Sequence, residues 1–191
     1  MIAISRKTLQ EQVRVDQDVV AAIRDAYVAV ADGRASVPPV GYLQFRDRNA
    51  DCHIKYGHIA GDPIFVVKMA SGFYDNPRIG LPSSRGISIA ASAEHGEIIA
   101  VLDDEGWLTE LRTAVGGAVA TQALCRPGSR HFGIVGAGTQ ARLQITAAAY
   151  LFGEQRVQFR VWGRNPERVQ ALVHEFAGTG VSVACEPSLE Q

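Results

Sequence analysis

The stretch that most constrains this chain is Phe132-Gly-Ile-Val-Gly-Ala-Gly-Thr-Gln-Ala141. An apolar run leads straight into Gly136-x-Gly138-x-x-Ala141, and a helical pattern follows. In this context the two glycines and the alanine have separate uses. Gly136 permits a tight turn, Gly138 lets backbone approach a ligand closely, and Ala141 lets the helix pack against the strand. Ala137 lies between the glycines in the same loop. A helix starting near Thr139 would turn its positive end toward a pyrophosphate. The spacing therefore points to a dinucleotide site. The rhythm around it supports this: strand Phe132–Val135, helix Thr139–Leu151, strand Val157–Trp162, helix Pro166–Phe176 and strand Val181–Cys185. This βαβαβ order is half of a doubly wound fold. Only 50 residues follow Ala141 in the 191-residue chain, and a full dinucleotide domain needs more.

Upstream the pattern differs. Val19, Ala22, Ile23, Ala26, Tyr27 and Val30 recur at helical spacing, predicting a helix over Val13–Ala31 that stops at Gly33. Ser36-Val-Pro-Pro-Val-Gly41 is extended or turn, because its prolines exclude a helix. Strands are predicted at Tyr42–Phe45, Cys52–Tyr56 and Ile64–Ala70. A hairpin over Ile87–Ala93 and Glu97–Leu102 turns at Glu94-His-Gly96. Thr109–Leu124 reads as a second long helix, and Arg126-Pro-Gly-Ser129 breaks the chain. The expected fold is α/β: an N-terminal α+β domain over residues 1–128, then a partial Rossmann domain over residues 129–191.

Composition narrows the function classes. Hydrophobic content of 47% and charged content of 20% suit a soluble globular protein. A net charge of −1 gives no reason to expect nucleic acid or an anionic membrane as partner. No apolar run reaches the ~18 residues of a membrane span. The N-terminus lacks the apolar core of a signal peptide. Three cysteines at wide spacing argue against a disulfide framework and for a cytoplasmic setting. The histidines show no ligand-pair spacing, so no metal site is expected.

Four side chains stand out. Lys68 interrupts Ile64-Phe-Val-Val-Lys-Met-Ala70, and an ammonium in an apolar strand is costly unless an anion meets it. A substrate carboxylate or a polarised carbonyl or imine would serve; so would a lysine that snorkels at the strand end. Lys55, in Cys52-His-Ile-Lys-Tyr-Gly-His58, is a weaker case of the same kind. Arg112 falls in the first helical turn if Thr109 is the N-cap. There a cation opposes the helix dipole unless both hold an anion; the alternative is a surface ion pair with Glu110 or a nearby acid. Arg164, in Val161-Trp-Gly-Arg-Asn165, stands where NAD-binding sites carry an acid for the ribose hydroxyl. Its fork of donors suits a phosphate, which favours NADP(H) over NAD(H). Gly116-Gly117 inside the second helix suggests that another backbone or a ligand approaches closely. Asp103-Asp-Glu105 reads as a solvated turn. An unrelated Rossmann reductase would need a Tyr-x-x-x-Lys pair, and no tyrosine here has a lysine four residues on.

Val66-Val-Lys-Met-Ala70, Gly80-Leu-Pro-Ser83, Leu108-Thr-Glu-Leu-Arg-Thr-Ala114 and Gly133-Ile-Val-Gly-Ala-Gly-Thr-Gln-Ala141 together resemble the ornithine cyclodeaminase/mu-crystallin family. The resemblance implies a substrate and dimerisation domain over residues 1–128 and a partial NAD(P)-binding Rossmann domain over residues 129–191. It implies action on an amino acid or cyclic imine, as an ornithine cyclodeaminase, ketimine reductase or alanine dehydrogenase, in a homodimer. Lys68 falls on the family's substrate-binding lysine. Arg112 falls near cofactor and substrate carboxylate, and Ser83 on a cofactor-contacting hydroxyl. Thr139 and Gln140 fall in the nucleotide loop, and Arg164 resembles the NADP-preferring members. The family carries an arginine just after its N-terminal helix. Residues 37–42 hold none, and Lys55 is the candidate to replace it. The family's catalytic aspartate lies in the second half of the Rossmann domain, beyond Gln191. The expectation is therefore the N-terminal part of such an enzyme, without its own catalytic residue, or else a catalytically inactive remnant that binds NADP(H) or a small ligand.

Overall fold

Apolar residues alternating through Ala50–Ile59, and running almost unbroken from Ile64 to Ala70, form the two longest strands, Ala50–Ile59 and Ile64–Phe73, each of ten residues. They pair antiparallel from Ala50 opposite Phe73 to Gly57 opposite Val66. This pairing draws Ser71 and Gly72, weak strand formers, into the ladder beyond the expected end at Ala70. The computed structural model describes residues 1–189, so the last two residues of the expected second domain lie outside the described residues. It is a mixed α/β protein in two compact units. One holds Met1–Arg14 and Arg24–Thr109; the other holds Val15–Ile23 and the chain from Glu110 onward.

The first unit is built on a seven-stranded sheet. Its strands are β1 (Ile2–Ser5), β2 (Ala35–Ser36), β3 (Gly41–Phe45), β4 (Ala50–Ile59), β5 (Ile64–Phe73), β6 (Ser84–Ser92) and β7 (Ile98–Asp103). The order is β1-β7-β6-β5-β4-β2, with β3 also on β4. Every pairing is antiparallel except β1 on β7, which is parallel. The expected hairpin is present as β6 and β7. Its turn is made by Ser92, whose hydroxyl accepts from the amides of Glu94 and His95. β1 and the short helix α1 (Arg6–Gln12) were not expected from the sequence. Ser5 caps α1 by accepting from Thr8 N. Helix α2 spans Gln17–Ala31 rather than starting at Val13. Asp16 sets its start, its carboxylate accepting from Val19 N at 2.8 Å.

The second unit holds the expected βαβαβ stretch. A parallel three-stranded sheet runs in the order β10 (Ser182–Cys185), β9 (Gln158–Trp162), β8 (His131–Val135). Helices α4 (Thr139–Phe152) and α5 (Pro166–Glu175) connect the strands. Asn165 caps α5 from its side chain and Pro166 occupies its first turn. Phe159, Val161, Val157 and Ile145 are almost wholly buried, and each such side chain contributes roughly 1.5–3 kcal/mol of burial. Helix α3 (Trp107–Leu124) begins in the first unit and carries its buried Ala114, Val115 and Ala118 in the second. The division between units thus falls inside α3, whereas the break in sequence pattern is at Arg126–Ser129.

Candidate functional site

Two separate constellations carry the candidate residues. In the second unit β8 ends at Val135 and the chain turns through Gly136, at φ 115°, a conformation that favours glycine. The Gly136 amide donates to the Trp162 carbonyl at 2.7 Å, which ties the loop to the tip of β9. Gly138 caps α4 with extended backbone, φ −100° and ψ −171°, and no side chain accepts from the first-turn amides. A Cβ built at Gly136 or Gly138 would meet no atom within 4 Å. Amides without a side-chain cap, the positive end of a fourteen-residue helix and open space above them could hold an anion.

The neighbours of this loop are set by the same packing. A Cβ on Gly163 would come within 3.8 Å of Ala137, so the turn carrying Arg164 lies beside the glycine loop. Arg164 is exposed and forms no ion pair among the described residues. The β9 tip offers Trp162, Gly163 and Arg164, and no carboxylate. Thr139 is exposed in the first turn of α4. Gln140 donates from Nε2 to the Glu110 carbonyl at 3.1 Å, and its Oε1 is buried with no hydrogen-bond partner. This set fits a dinucleotide: backbone donors for the pyrophosphate, room for it, and a cation at the ribose end.

Arg112 departs from expectation. Asp104 accepts from Leu108 N through Oδ2 and from Trp107 N through its carbonyl, both at 2.8 Å. Helix α3 therefore starts at Trp107, and Arg112 lies in its second turn, exposed. The dipole field has weakened there, so the conflict inferred from Thr109 as N-cap does not exist. Asp104 corrects a second expectation. It is 1% exposed, not part of a solvated turn. Neighbouring Glu105, at φ 49°, is half-buried and pairs with Arg85 and Arg6. What approaches the Gly116-Gly117 pair is the side chain of Gln144 on α4, 2.5 Å from a Cβ built at Gly117.

In the first unit Lys68 sits mid-strand on β5, half-buried, and donates from Nζ to Thr109 Oγ1 at 3.1 Å. Lys55 on β4 is its direct cross-strand partner, and Ser88 on β6 stands opposite on the other side. Lys55 is exposed and Ser88 is 5% exposed. Gly86, one ladder step from Ser88, allows the backbone of Gly106 to pass at 3.4 Å from where a Cβ would stand. That close approach leads the chain to Thr109. Ser83 is half-buried before β6, and its carbonyl accepts from Phe73 N at 2.8 Å. Sequence reasoning missed Thr109 as partner of Lys68 and Asp104 as the start of α3. It also missed Asp51, which accepts from Tyr74 OH at 3.0 Å and stands 3.4 Å from His53. That bond, with the Asp51 charge and slight burial, raises the Tyr74 phenol above its usual 10.0. No sequence signal marks the first two; both depend on how α3 is led in.

Among the described residues no helix is long and apolar enough to cross a membrane. The chain is 36% identical over 177 residues to an uncharacterized cyclodeaminase of Sinorhizobium fredii, covering 92% of this chain and 53% of that one. Its fold matches an archaeal alanine dehydrogenase dimer with bound NAD (TM-score 0.88, 26% identity, 98% of this chain and 56% of that). It also matches Δ1-pyrroline-2-carboxylate reductase of Thermococcus litoralis in complex with NADH and L-proline (TM-score 0.89, 25% identity, 99% and 58%). The chain thus spans a little over half the length of the curated relatives it matches. The model of one family fits residues 2–191, and on that match this chain belongs to the ornithine cyclodeaminase/mu-crystallin family.

Proposed function

We propose that this chain is the substrate-binding and part of the cofactor-binding portion of an NAD(P)-dependent oxidoreductase or cyclodeaminase acting on an amino acid or cyclic imine. The observation that carries the reading is the glycine loop: amides at the start of α4 with no side-chain cap, open space above Gly136 and Gly138, and Arg164 in the adjoining turn. Residues 129–191 are read as the cofactor domain and residues 1–128 as the substrate and dimerisation domain. A bound nicotinamide supplies hydride chemistry at the substrate's α-carbon. The chain's own residues do the rest. Gly136, Ala137, Gly138, Thr139 and Gln140 seat the pyrophosphate, and Arg164 meets a 2′-phosphate, which favours NADP(H). Ser83 and Arg112 contact the cofactor. Lys68, Lys55 and Arg112 hold the substrate carboxylate, and Thr109 fixes the Lys68 ammonium. Relatives named alanine dehydrogenase, Δ1-pyrroline-2-carboxylate reductase and ornithine cyclodeaminase support this substrate class.

The test is steady-state kinetics of the complete protein with NADPH and NADH, on cyclic imines and on 2-oxo acids with ammonium. Lys68→Ala should raise KM at least tenfold or abolish turnover. Unchanged kinetics would overturn the role of Lys68, and absence of any dinucleotide binding would overturn the reading as a whole.

A further inference from the structure

We propose that the second unit carries another anion site, away from the glycine loop, where Arg126, Arg130 and Arg156 take the dianion of a small phosphate monoester. It goes beyond the function proposed above and does not depend on it. The three arginines line one open cleft of about 400 Å³, within the size range of small-molecule sites. The cleft lies beside the starts of β8 and β9 and the ends of α3 and α4. Arg130 immediately precedes β8 and Gly136 immediately follows it. The cleft and the glycine loop therefore stand at opposite ends of that strand, roughly 16 Å apart.

The backbone that carries the arginines is held in place. In the turn Arg126-Pro-Gly-Ser129, the Ser129 amide and hydroxyl both donate to the Arg126 carbonyl, at 3.1 and 2.8 Å. Gly128 supplies the left-handed residue, at φ 80°. The Arg130 carbonyl accepts from Gln158 N at 2.7 Å. The Arg156 amide donates to the Gly153 carbonyl at 2.9 Å, and its Cδ stands 3.6 Å from a Cβ built on Gly153.

Arginines near a helix C-terminus ordinarily donate to its last carbonyls. These three do not. None of their guanidiniums forms a hydrogen bond or ion pair among the described residues. It is Gln122 that donates to the Leu151 carbonyl of α4, at 3.3 Å. No Asp or Glu lines the cleft. Glu154, the nearest acid in sequence, is exposed and forms no ion pair among the described residues.

Charge sets the ligand. Against three guanidiniums, the two helix C-termini bring about half a negative charge each. About two positive charges are left over. A phosphate monoester carries close to two negative charges above its second pKa of about 6, and its oxygens match the planar forks of arginine. Phe152 and Val157 give the cleft an apolar wall for the carbon body of the ester. A singly charged ester answers only half of the excess.

The experiment is calorimetry on the complete protein at pH 8, saturated with NADP+ to fill the glycine loop. It compares phenyl phosphate with phenyl sulfate, one shape with two charges or one. Phenyl phosphate should bind with a Kd below about 1 mM and at least about tenfold more tightly than phenyl sulfate. Arg126→Gln, Arg130→Gln and Arg156→Gln should each weaken it at least about fivefold, with NADP+ affinity and melting temperature unchanged. Saturating phenyl phosphate should slow alkylation of Cys125, half-buried in the cleft, at least about fivefold, and leave the exposed Cys185 as reactive as before. Equal binding of the two esters, native affinity in all three variants, or undiminished alkylation of Cys125 overturns the proposal. Binding that disappears on NADP+ saturation overturns it too, because the probe was then occupying the glycine loop.

Discussion

Gly138→Ala separates the stability of the glycine loop from its use. Gly138 has φ −100° and ψ −171°, extended backbone that alanine adopts without strain, and its Cβ would meet nothing within 4 Å. Restricting the unfolded chain should stabilise the fold by about 0.4–1 kcal/mol. Alanine is a poorer N-cap than glycine, costing about 0.5–1 kcal/mol at the start of α4. The two terms nearly cancel. At ~2–4 °C per kcal/mol for a chain of this size, the melting temperature should move by less than about 2 °C. The new methyl nevertheless occupies the space above the α4 amides where the proposed site would seat a pyrophosphate. Dinucleotide affinity should fall at least about tenfold, or 1.4 kcal/mol. Gly136→Ala is the counterpart: at φ 115° an alanine is strained by roughly 1–3 kcal/mol, so that variant should melt measurably lower. Thermal unfolding without ligand and calorimetric titration with NADPH read the two effects. Native affinity in Gly138→Ala would refute the loop as the pyrophosphate seat. A drop of more than about 5 °C would refute the open space drawn around it.

Arg164→Ala should weaken NADPH more than NADH, cutting the preference ratio at least about tenfold, the loss of a charged fork on a phosphate; an unchanged ratio of dissociation constants would make it an ordinary solvated arginine. Asp104→Ala should destabilise the protein by about 1–3 kcal/mol in denaturant titration, because it strips a buried acceptor from Leu108 N at the start of α3, while Asp104→Asn should recover much of that loss. A smaller loss from Asp104→Ala than from Asp104→Asn would contradict this account. Tyr74 has a raised folded pKa, so whatever stability its bond to Asp51 adds is present below pH 10.0 and is lost as pH climbs through the raised value. Ultraviolet titration of the phenolate should show a higher midpoint in the native protein than in Asp51→Asn, and equal midpoints would contradict the bond.

The βαβαβ stretch of the second unit was readable in the sequence almost residue by residue. Its strands are short apolar runs, its helices carry Gly138 and Asn165 at their starts, and each connection is local, so nothing distant was needed to fix the ends. The first unit was harder. β1 is four residues long and owes its existence to a parallel partner, Ile2 opposite Ala100, far along the chain. Helix α1 buries only Leu9 and otherwise reads as a polar leader. The start of α3 was misplaced because its acceptor, Asp104, precedes a left-handed Glu105 and Gly106, so the helix pattern and its cap are separated by a turn. The site divides in the same way. Lys68 stood out as a charge in an apolar strand. Lys55 stood out more weakly, and its place directly opposite Lys68 comes from register, which no periodicity within a single strand reveals.

The order β10-β9-β8 leaves β8 at the border of its sheet, with no strand on its far side among the described residues. Its outward amides and carbonyls form a template for another strand. With a net charge of −1 the chain has almost no long-range repulsion to keep such borders apart. Strand pairing at that border would then respond little to ionic conditions. Backbone groups are neutral, so salt does not screen their pairing; dilution or a covering strand does the work that surface charge does elsewhere.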